Sequence, residues 1–289
     1  PLNSDGYCTE LEIDGNVTKF LQGHNVWGSS DHIGLALALI TWLLNDDPLK
    51  TVKIPSYDIL LDPNQWIVNR IDITSYADVG SRNNVRTTLD TIALTGHTKY
   101  QRANNTKGTV YFNKNSRRWG FKFYDKFKEV SSTSKARRIN ADAKTQEFLK
   151  NTVNSMIRCE LVLRQNEMRD RDIKTLSDLK PLDLFIEYLN RLKFEANNKM
   201  TSKNVENLPK KLKLTYLAWS QGHDIRTLVS DATFYRHKSD LAKLGIDLDQ
   251  PPRPVDSPSN VVSFSRYIEC MPITMPVGVD SYIFIPRSA

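Results

Sequence analysis

The chain has 289 residues, 39% hydrophobic and 25% charged, the ordinary balance of one large or two modest globular domains with a substantial core. Forty Lys plus Arg against 33 Asp plus Glu give a net charge of +7, which favours anionic partners, nucleic acid first among them. Three separated cysteines (Cys8, Cys159, Cys270) without C-x-x-C spacing argue against a disulfide framework or a zinc site and fit a reducing cytoplasm, while the longest apolar run, Ile33 to Leu44, is too short to span a bilayer.

In chain order, Thr9–Ile13 alternates Glu10 and Glu12 against Leu11 and Ile13 and predicts a strand. A loop with Gly23-His24-Asn25 and Gly28-Ser29-Ser30-Asp31 follows. Ser30 or Asp31 can cap a helix running to about Asn45, where Asp46-Asp47-Pro48 stops it. Residues 67–74 predict a second strand, with Ile67, Asn69, Ile71 and Ile73 on one face and Arg70, Asp72 and Thr74 on the other. A helical stretch near Asn84–Thr95 and a polar segment around Gly96–Lys107 lead to a β-hairpin. Its strands are Thr109–Phe112 and Trp119–Tyr124, joined by a basic NKNSRR turn. Trp119, Phe121 and Phe123 share one face of the second strand; Gly120, Lys122 and Tyr124 share the other. Asp125 and Lys126 follow where the strand should finish.

Asp125–Lys144 is rich in Lys, Arg, Ser and Thr and reads as a connector, either solvated or facing DNA. A helix from about Ala143 to Ile157 then delivers the strand Arg158–Arg164, with Cys159, Leu161 and Leu163 opposite Arg158, Glu160, Val162 and Arg164. Four strands with one apolar face each, separated by helices, predict an α+β fold: a central antiparallel or mixed sheet with helices over its apolar face. Residues 1–170 form the first expected domain and 171–289 a mainly helical second. In the second, Asp183–Phe194 predicts a helix, Lys199–Asn207 a linker, and Pro209 the start of a helix to about Gln221. After Gly222 and a short turn at Asp224–Val229, Ser230–Gly245 reads as a capped helix. It turns Phe234, Leu241 and Leu244 inward and Thr233, Arg236, His237 and Lys238 outward. That is the layout of a helix-turn-helix, with the alternating run Val261–Met271 as the wing of a winged helix.

The histidines include no H-x-H or H-E-x-x-H, and there is no P-loop and no G-x-S-x-G. The sheet offers carboxylates on its polar face, Asp72 and Glu160, with Glu12 as a third candidate. Such hard oxygen ligands suit Mg²⁺ or Mn²⁺. Alternatively Asp72 pairs with Arg70, and Glu160 with Arg158 or Arg164. Tyr124 is either one more aromatic packing a strand or a nucleophile. A phenol with a pKa of about 10 needs a cation or base to react, and Lys122 and Lys126 could serve.

Lys19-Phe-Leu-Gln-Gly-His-Asn-Val-Trp-Gly-Ser-Ser-Asp31, Arg70-Ile-Asp-Ile-Thr74, Ser116-Arg-Arg with Phe123-Tyr-Asp-Lys126, and Arg158-Cys-Glu160 resemble, in this order, the gene II replication initiators of filamentous phages. The R-I-D, Y-D-K and R-x-E trio also looks like that of rolling-circle initiators of the Rep_trans type. The resemblance implies an HUH-like nicking domain, followed by a winged-helix DNA-binding domain and preceded in the family by an upstream segment that this chain, opening at Pro1, is expected to lack. It implies a site-specific, metal-dependent DNA endonuclease and ligase. Tyr124 would be the nucleophile, and Lys126 would stabilise phenolate or phosphate charge. Asp72 and Glu160 would hold Mg²⁺ or Mn²⁺, with Glu12 and His24 as outer candidates. Arg70, Arg117, Arg118 and Lys122 would contact DNA beside the nick, and Thr233, Arg236, His237 and Lys238 would do so from the last helix. The implied partners are origin DNA and the host helicase and polymerase, with no membrane, in the host cytoplasm. The competing expectation is a non-catalytic winged-helix origin binder or repressor.

Overall fold

The computed structural model describes residues 3–45, 53, 56–99, 101–132, 139–194, 205–221, 223–244, 246, 248 and 275–286. Its strands in chain order are β1 (Arg70–Asp78), β2 (Gly96–His97), β3 (Asn104–Thr106), β4 (Thr109–Phe112), β5 (Trp119–Asp125), β6 (Met156–Arg164) and β7 (Lys193–Phe194). The helices are α1 (Val17–Gln22), α2 (His32–Asn45), α3 (Tyr57–Leu61), α4 (Arg82–Thr95), α5 (Lys126–Val130), α6 (Ala143–Asn151), α7 (Gln165–Asp170), α8 (Pro181–Asn190), α9 (Lys210–Ser220) and α10 (Asp231–Ala242).

Five strands join in one antiparallel sheet, ordered β1-β6-β5-β4-β3, while β2 and β7 pair apart. The hairpin alternation is realised as read. Phe121 and Phe123 stack at 5.1 Å, Phe112 meets Phe123 edge-on at 5.7 Å, and all three rings are fully buried. Sequestering each such ring is worth about 2–3 kcal/mol. Val85, Leu89 and Ile92 of α4 and Leu184, Phe185 and Leu189 of α8 close this apolar face, so the fold is α+β with helices over one side of an antiparallel sheet. Ser81 caps α4 through the Asn84 amide, and Asp31 caps α2 through the Gly34 amide at 2.8 Å.

A second core gathers Val26, Trp27, Tyr76, Val130, Leu149 and Val153, and it takes in Val279 from the returning C-terminal segment. A third holds α9 and α10 together through Leu212, Tyr216, Trp219, Ile225, Phe234 and Leu241. These two helices, joined through a 3-10 turn at Ile225–Thr227, have the helix, turn, helix order expected of them.

Several expectations are corrected. Thr9–Ile13 is irregular and exposed rather than a strand; among the described residues no strand pairs with it. Ile67 precedes β1 and is 77% exposed, off the apolar face it was expected to share. Part of the Asp125–Lys144 connector is helix: Asp125 caps α5 by accepting the Lys128 amide. The helix before β6 ends at Asn151, and β6 begins two residues earlier than expected, at Met156. The helix expected at Asp183–Phe194 starts at Pro181, favoured at a first helical position, and stops at Asn190. On α10, His237 is buried rather than outward, since it lies at i+3 from Phe234 on the inner stripe, and it bonds Thr215 at 2.8 Å. Leu244 lies beyond the end of α10 and is exposed rather than packed. The expected wing at Val261–Met271 lies outside the described residues.

Candidate active site on the polar face of the sheet

Strand register arranges the face opposite the apolar core. Across β1, β6, β5, β4 and β3, one row reads Tyr76, Arg158, Tyr124, Thr109, Thr106. The next row reads Thr74, Glu160, Lys122, Tyr111, Asn104, and Asp72 follows on β1 opposite Val162. The three predicted residues Asp72, Glu160 and Tyr124 are thereby brought onto neighbouring positions of one face.

Tyr124 donates its phenol hydrogen to Glu160 Oε2 at 3.2 Å. The other oxygen of Glu160 is ion-paired with Lys122, and Glu160 lies beside Asp72. Asp72 is gripped bidentately by Arg70, at 2.7 Å and 2.8 Å. The Arg70–Asp72 alternative is therefore part of the site, whereas Glu160 pairs with Lys122 on the neighbouring strand and not with Arg158 or Arg164. Burial pushes the Asp72 carboxyl up, but the Arg70 guanidinium outweighs it and holds the group below the usual carboxylate range. Burial raises the Tyr124 phenol well above its ordinary value; Arg158 opposes this, and the Glu160 charge adds to it. Tyr124 rests as a neutral phenol whose proton already points at a carboxylate.

Arg158, which the sequence offered only as an ion-pair partner, is the central cation of the face. Its Nη1 donates to the carbonyls of Asn25 (2.7 Å) and Val26 (3.0 Å) and to the Tyr76 phenol (2.7 Å), and its Nη2 donates to Thr74 Oγ1 (2.9 Å). Nε is buried with no partner among the described residues. The period of two that puts Arg158 beside Glu160 was the available signal; the register that sets it between two tyrosines was not in the sequence.

The Gln22–Asp31 motif is the roof over this end of the face. Gly23 ends α1 in a left-handed conformation (φ 82), where a Cβ would meet Asn140 O at 2.5 Å, so only glycine fits. Gln22 Nε2 donates to Trp27 O at 2.6 Å, and its Oε1 accepts the Phe284 amide at 2.7 Å. His24 is buried, bonded to Tyr282 O at 2.9 Å, and burial first of all holds it below its usual pKa, hence neutral. Asn25 Oδ1 accepts Lys126 Nζ at 2.9 Å, and Trp27 Nε1 reaches Thr152 at 2.8 Å. The Tyr-Asp-Lys run is a junction with three duties. Tyr124 faces the site, Asp125 caps α5 and pairs with Arg82 of α4 at 2.8 Å, and Lys126 enters the second core. Lys126 is wholly buried, held by Asn25 and by Glu129 at 2.8 Å, and burial with the nearby Arg158 charge brings it down to about 8.

Asp72 and Glu160 supply two hard oxygen donors in contact, which fits Mg²⁺ or Mn²⁺, ions commonly held by one or two carboxylates plus water and substrate phosphate. Glu12 is exposed in its loop, and His24 is committed to the C-terminal segment; among the described residues no three His, Cys, Asp or Glu side chains gather as a metal cage. Asp72 also borders a cleft of about 930 Å³ along β1, with Asp14, Ser29, Ser30 and His32 on its walls.

Of the expected DNA contacts, Arg117 is exposed at the hairpin turn, whereas Arg118 is tied to Glu167 at 2.8 Å and to Asp170. Arg70 and Lys122 are the counter-ions of the carboxylates. On α10, Arg236 is exposed and Thr233 and Lys238 are partly exposed, while His237 is interior. No helix among the described residues is long and apolar enough to cross a membrane.

A tyrosine, two carboxylates and a buried arginine on one sheet face make a candidate active site, and comparison with known proteins gives the family of the chain. Residues 2–181 match the family model for the N-terminal region of the phage replication-associated protein encoded by gene II, and residues 200–281 match that for its C-terminal region. The chain belongs to this family, the gene II replication proteins of filamentous phages. It is 35% identical over 98% of its length to the replication-associated protein of Enterobacteria phage I2-2, covering 82% of that protein. It is 36% identical over 109 residues to those of Enterobacteria phages fd and f1, covering 37% of this chain and 25% of each relative. No solved structure matches the chain.

Proposed function

We propose that this protein initiates rolling-circle replication by nicking the plus strand of a phage origin with Tyr124 and later rejoining it. The observation that carries this reading is the Tyr124 phenol hydrogen-bonded to Glu160, itself in contact with Asp72, on an open-ended polar sheet face in a chain of the gene II family. In the proposed step Tyr124 Oη attacks the scissile phosphorus. A tyrosyl O–P bond forms, the bond from phosphorus to the 3′ oxygen breaks, and that oxygen leaves with the electron pair and takes a proton from solvent to become the 3′-OH primer end. Because the phenol is neutral at rest, its proton leaves during attack, and Glu160 Oε2 is placed to receive it. Arg158 and Lys122 supply positive charge beside the oxygen as it loses that proton. A divalent ion held by Asp72 and Glu160 would polarise the phosphate oxygens.

The 5′-phosphotyrosyl bond retains the energy of the phosphodiester, so attack by a 3′-OH reseals the strand with no nucleotide cofactor while Tyr124 regains its proton. The same proposal includes an HUH-like reading of the sheet domain without paired histidines, and a winged-helix reading of α9 and α10. It extends to origin DNA as substrate, to the host helicase and polymerase as partners, and to the host cytoplasm. The test is incubation of a supercoiled origin plasmid with Mg²⁺ or Mn²⁺. Wild type should nick it and Tyr124→Phe should not. Equal nicking by both removes the nucleophile, and salt-sensitive binding without nicking by either turns the reading into that of a non-catalytic origin binder.

A further inference from the structure

The polar face does not stop at Tyr124. On its far side β4 and β3 continue it with Thr109, Tyr111, Asn104 and Thr106, while α4 and α8 pack the opposite face. Tyr111 is the aromatic of this half. It is partly exposed, lies directly across from Lys122, and its hydroxyl has no hydrogen-bond partner among the described residues. Lys114 Nζ sits 4.8 Å from the centre of its ring and donates to Thr106 Oγ1 at 3.1 Å. Lys107 is exposed in the tight turn between β3 and β4, where it and Gly108 both have positive φ (53 and 85), and Arg117 is exposed at the turn between β4 and β5.

We propose that this β4–β3 surface is a docking strip for single-stranded DNA. In it Tyr111 stacks on a base close to the scissile phosphate while Lys114, Lys107 and Arg117 contact the flanking backbone. The inference rests on the reading of Tyr124 as the nicking residue and extends it to the substrate strand. Two features select this occupant. The first is charge: the strip shows an aromatic face with cations around it, the combination that grips a single strand by base stacking and phosphate attraction. The second is continuity. Tyr111 is the diagonal neighbour of Tyr124 across the β4–β5 ladder, about 7–8 Å away for such a pair. At about 3.4 Å per stacked nucleotide, that is the span of roughly two residues of DNA. An exposed ammonium over a ring is the weaker of the two contacts available to Tyr111, so an entering base displaces Lys114 toward the phosphates.

The test measures fluorescence anisotropy of labelled oligothymidylate and of an abasic strand of equal length, with the full chain and without metal. Wild type should prefer oligothymidylate to the abasic strand. Tyr111→Phe should keep that preference, and Tyr111→Leu should bind oligothymidylate on the order of tenfold more weakly and lose the preference. Lys114→Ala should lower the salt slope of log affinity by about one. The proposal is overturned if wild type does not distinguish the two strands, if Tyr111→Leu with an unchanged melting curve binds like wild type, or if Tyr111→Phe fails as badly as Tyr111→Leu. None of these readouts involves cleavage, so failure of the Tyr124 assignment registers separately, in the plasmid assay.

Discussion

The two halves of the polar sheet face differ in what lies above them. Over β1 and β6 the Gln22–Trp27 loop forms a roof, held from below by Arg158 and Lys126 and from the other side by Tyr282 and Phe284. Arg158 and Lys126 are buried there and Arg70 is paired with Asp72, while burial raises the Tyr124 phenol and lowers the Lys126 ammonium. Over β4 and β3 the face is open, and Tyr111, Lys107 and Asn104 reach solvent. Tyr124 stands at the seam. Its hydroxyl belongs to the roofed half, where proton transfer can be controlled, and its neighbours on β4 belong to the half a strand of DNA can reach. A closed polar region sets reactivity and an open one admits substrate, and one strand register supplies both.

Substitutions on the roofed side test that division. After loss of Tyr124 itself, the largest effect is expected from Glu160→Gln, which removes the proton acceptor. Single-turnover nicking should fall by about 10²–10⁴ while affinity for single-stranded DNA is retained; a parallel loss of affinity would make Glu160 a binding group. Next comes Lys126, whose pKa is lowered from 10.5 to about 8 in the folded chain. Below pH 8 both folded and unfolded states are protonated, and the burial cost is fully present. Between about 8 and 10.5 the folded state binds fewer protons, so this group makes stability rise with pH. Urea unfolding should therefore show wild type gaining on Lys126→Met by an amount on the order of 3 kcal/mol across that window. A pH-independent difference would mean that Lys126 is not held as a buried cation.

A smaller effect sharpens the contrast between the two tyrosines that flank Arg158. Tyr76 is sealed against the Val26 carbonyl, at 2.5 Å. Tyr76→Phe should cost about 1–3 kcal/mol of stability by stranding buried polar groups, and nicking should fall only with the folded fraction. The same substitution at Tyr124 is expected to remove the chemistry. Smallest of all, Arg236→Ala on α10 should weaken duplex origin binding through one phosphate contact, lowering the salt slope by about one without changing cleavage of a single-stranded substrate.

Much of this site was legible in the chain because a strand with one buried face must alternate. That rule alone placed Lys122 with Tyr124, Arg70 with Asp72, and Arg158 with Glu160. What alternation cannot supply is which strands pair and in what register, and the role of Arg158 depends on that. Its guanidinium meets Tyr76 and the Asn25–Val26 carbonyls, contacts 82 to 133 residues away in sequence. The burial of Lys126 was illegible for a different reason. Period two stops applying at Asp125, where the strand becomes a helix, so alternation says nothing of the lysine that follows, which is wholly buried. His237 was readable from the i+3 spacing to Phe234, but its polarity suggested the outer face. A small, hydrogen-bonded imidazole is cheap enough to bury when Thr215 receives it. The returning segment that brings Val279, Tyr282 and Phe284 onto the second core and the Gln22–Trp27 loop carried no local sequence signal.

The central claim, that Tyr124 forms the covalent bond to DNA, is tested most directly by trapping the intermediate. The protein is incubated with an origin oligonucleotide labelled 3′ of the nick, denatured and digested, and the peptide carrying nucleotide is sequenced by mass spectrometry. The account predicts a 5′-phosphotyrosyl adduct on the peptide containing Tyr124, absent from Tyr124→Phe. An adduct on another residue, or active nicking that leaves no adduct, would contradict it.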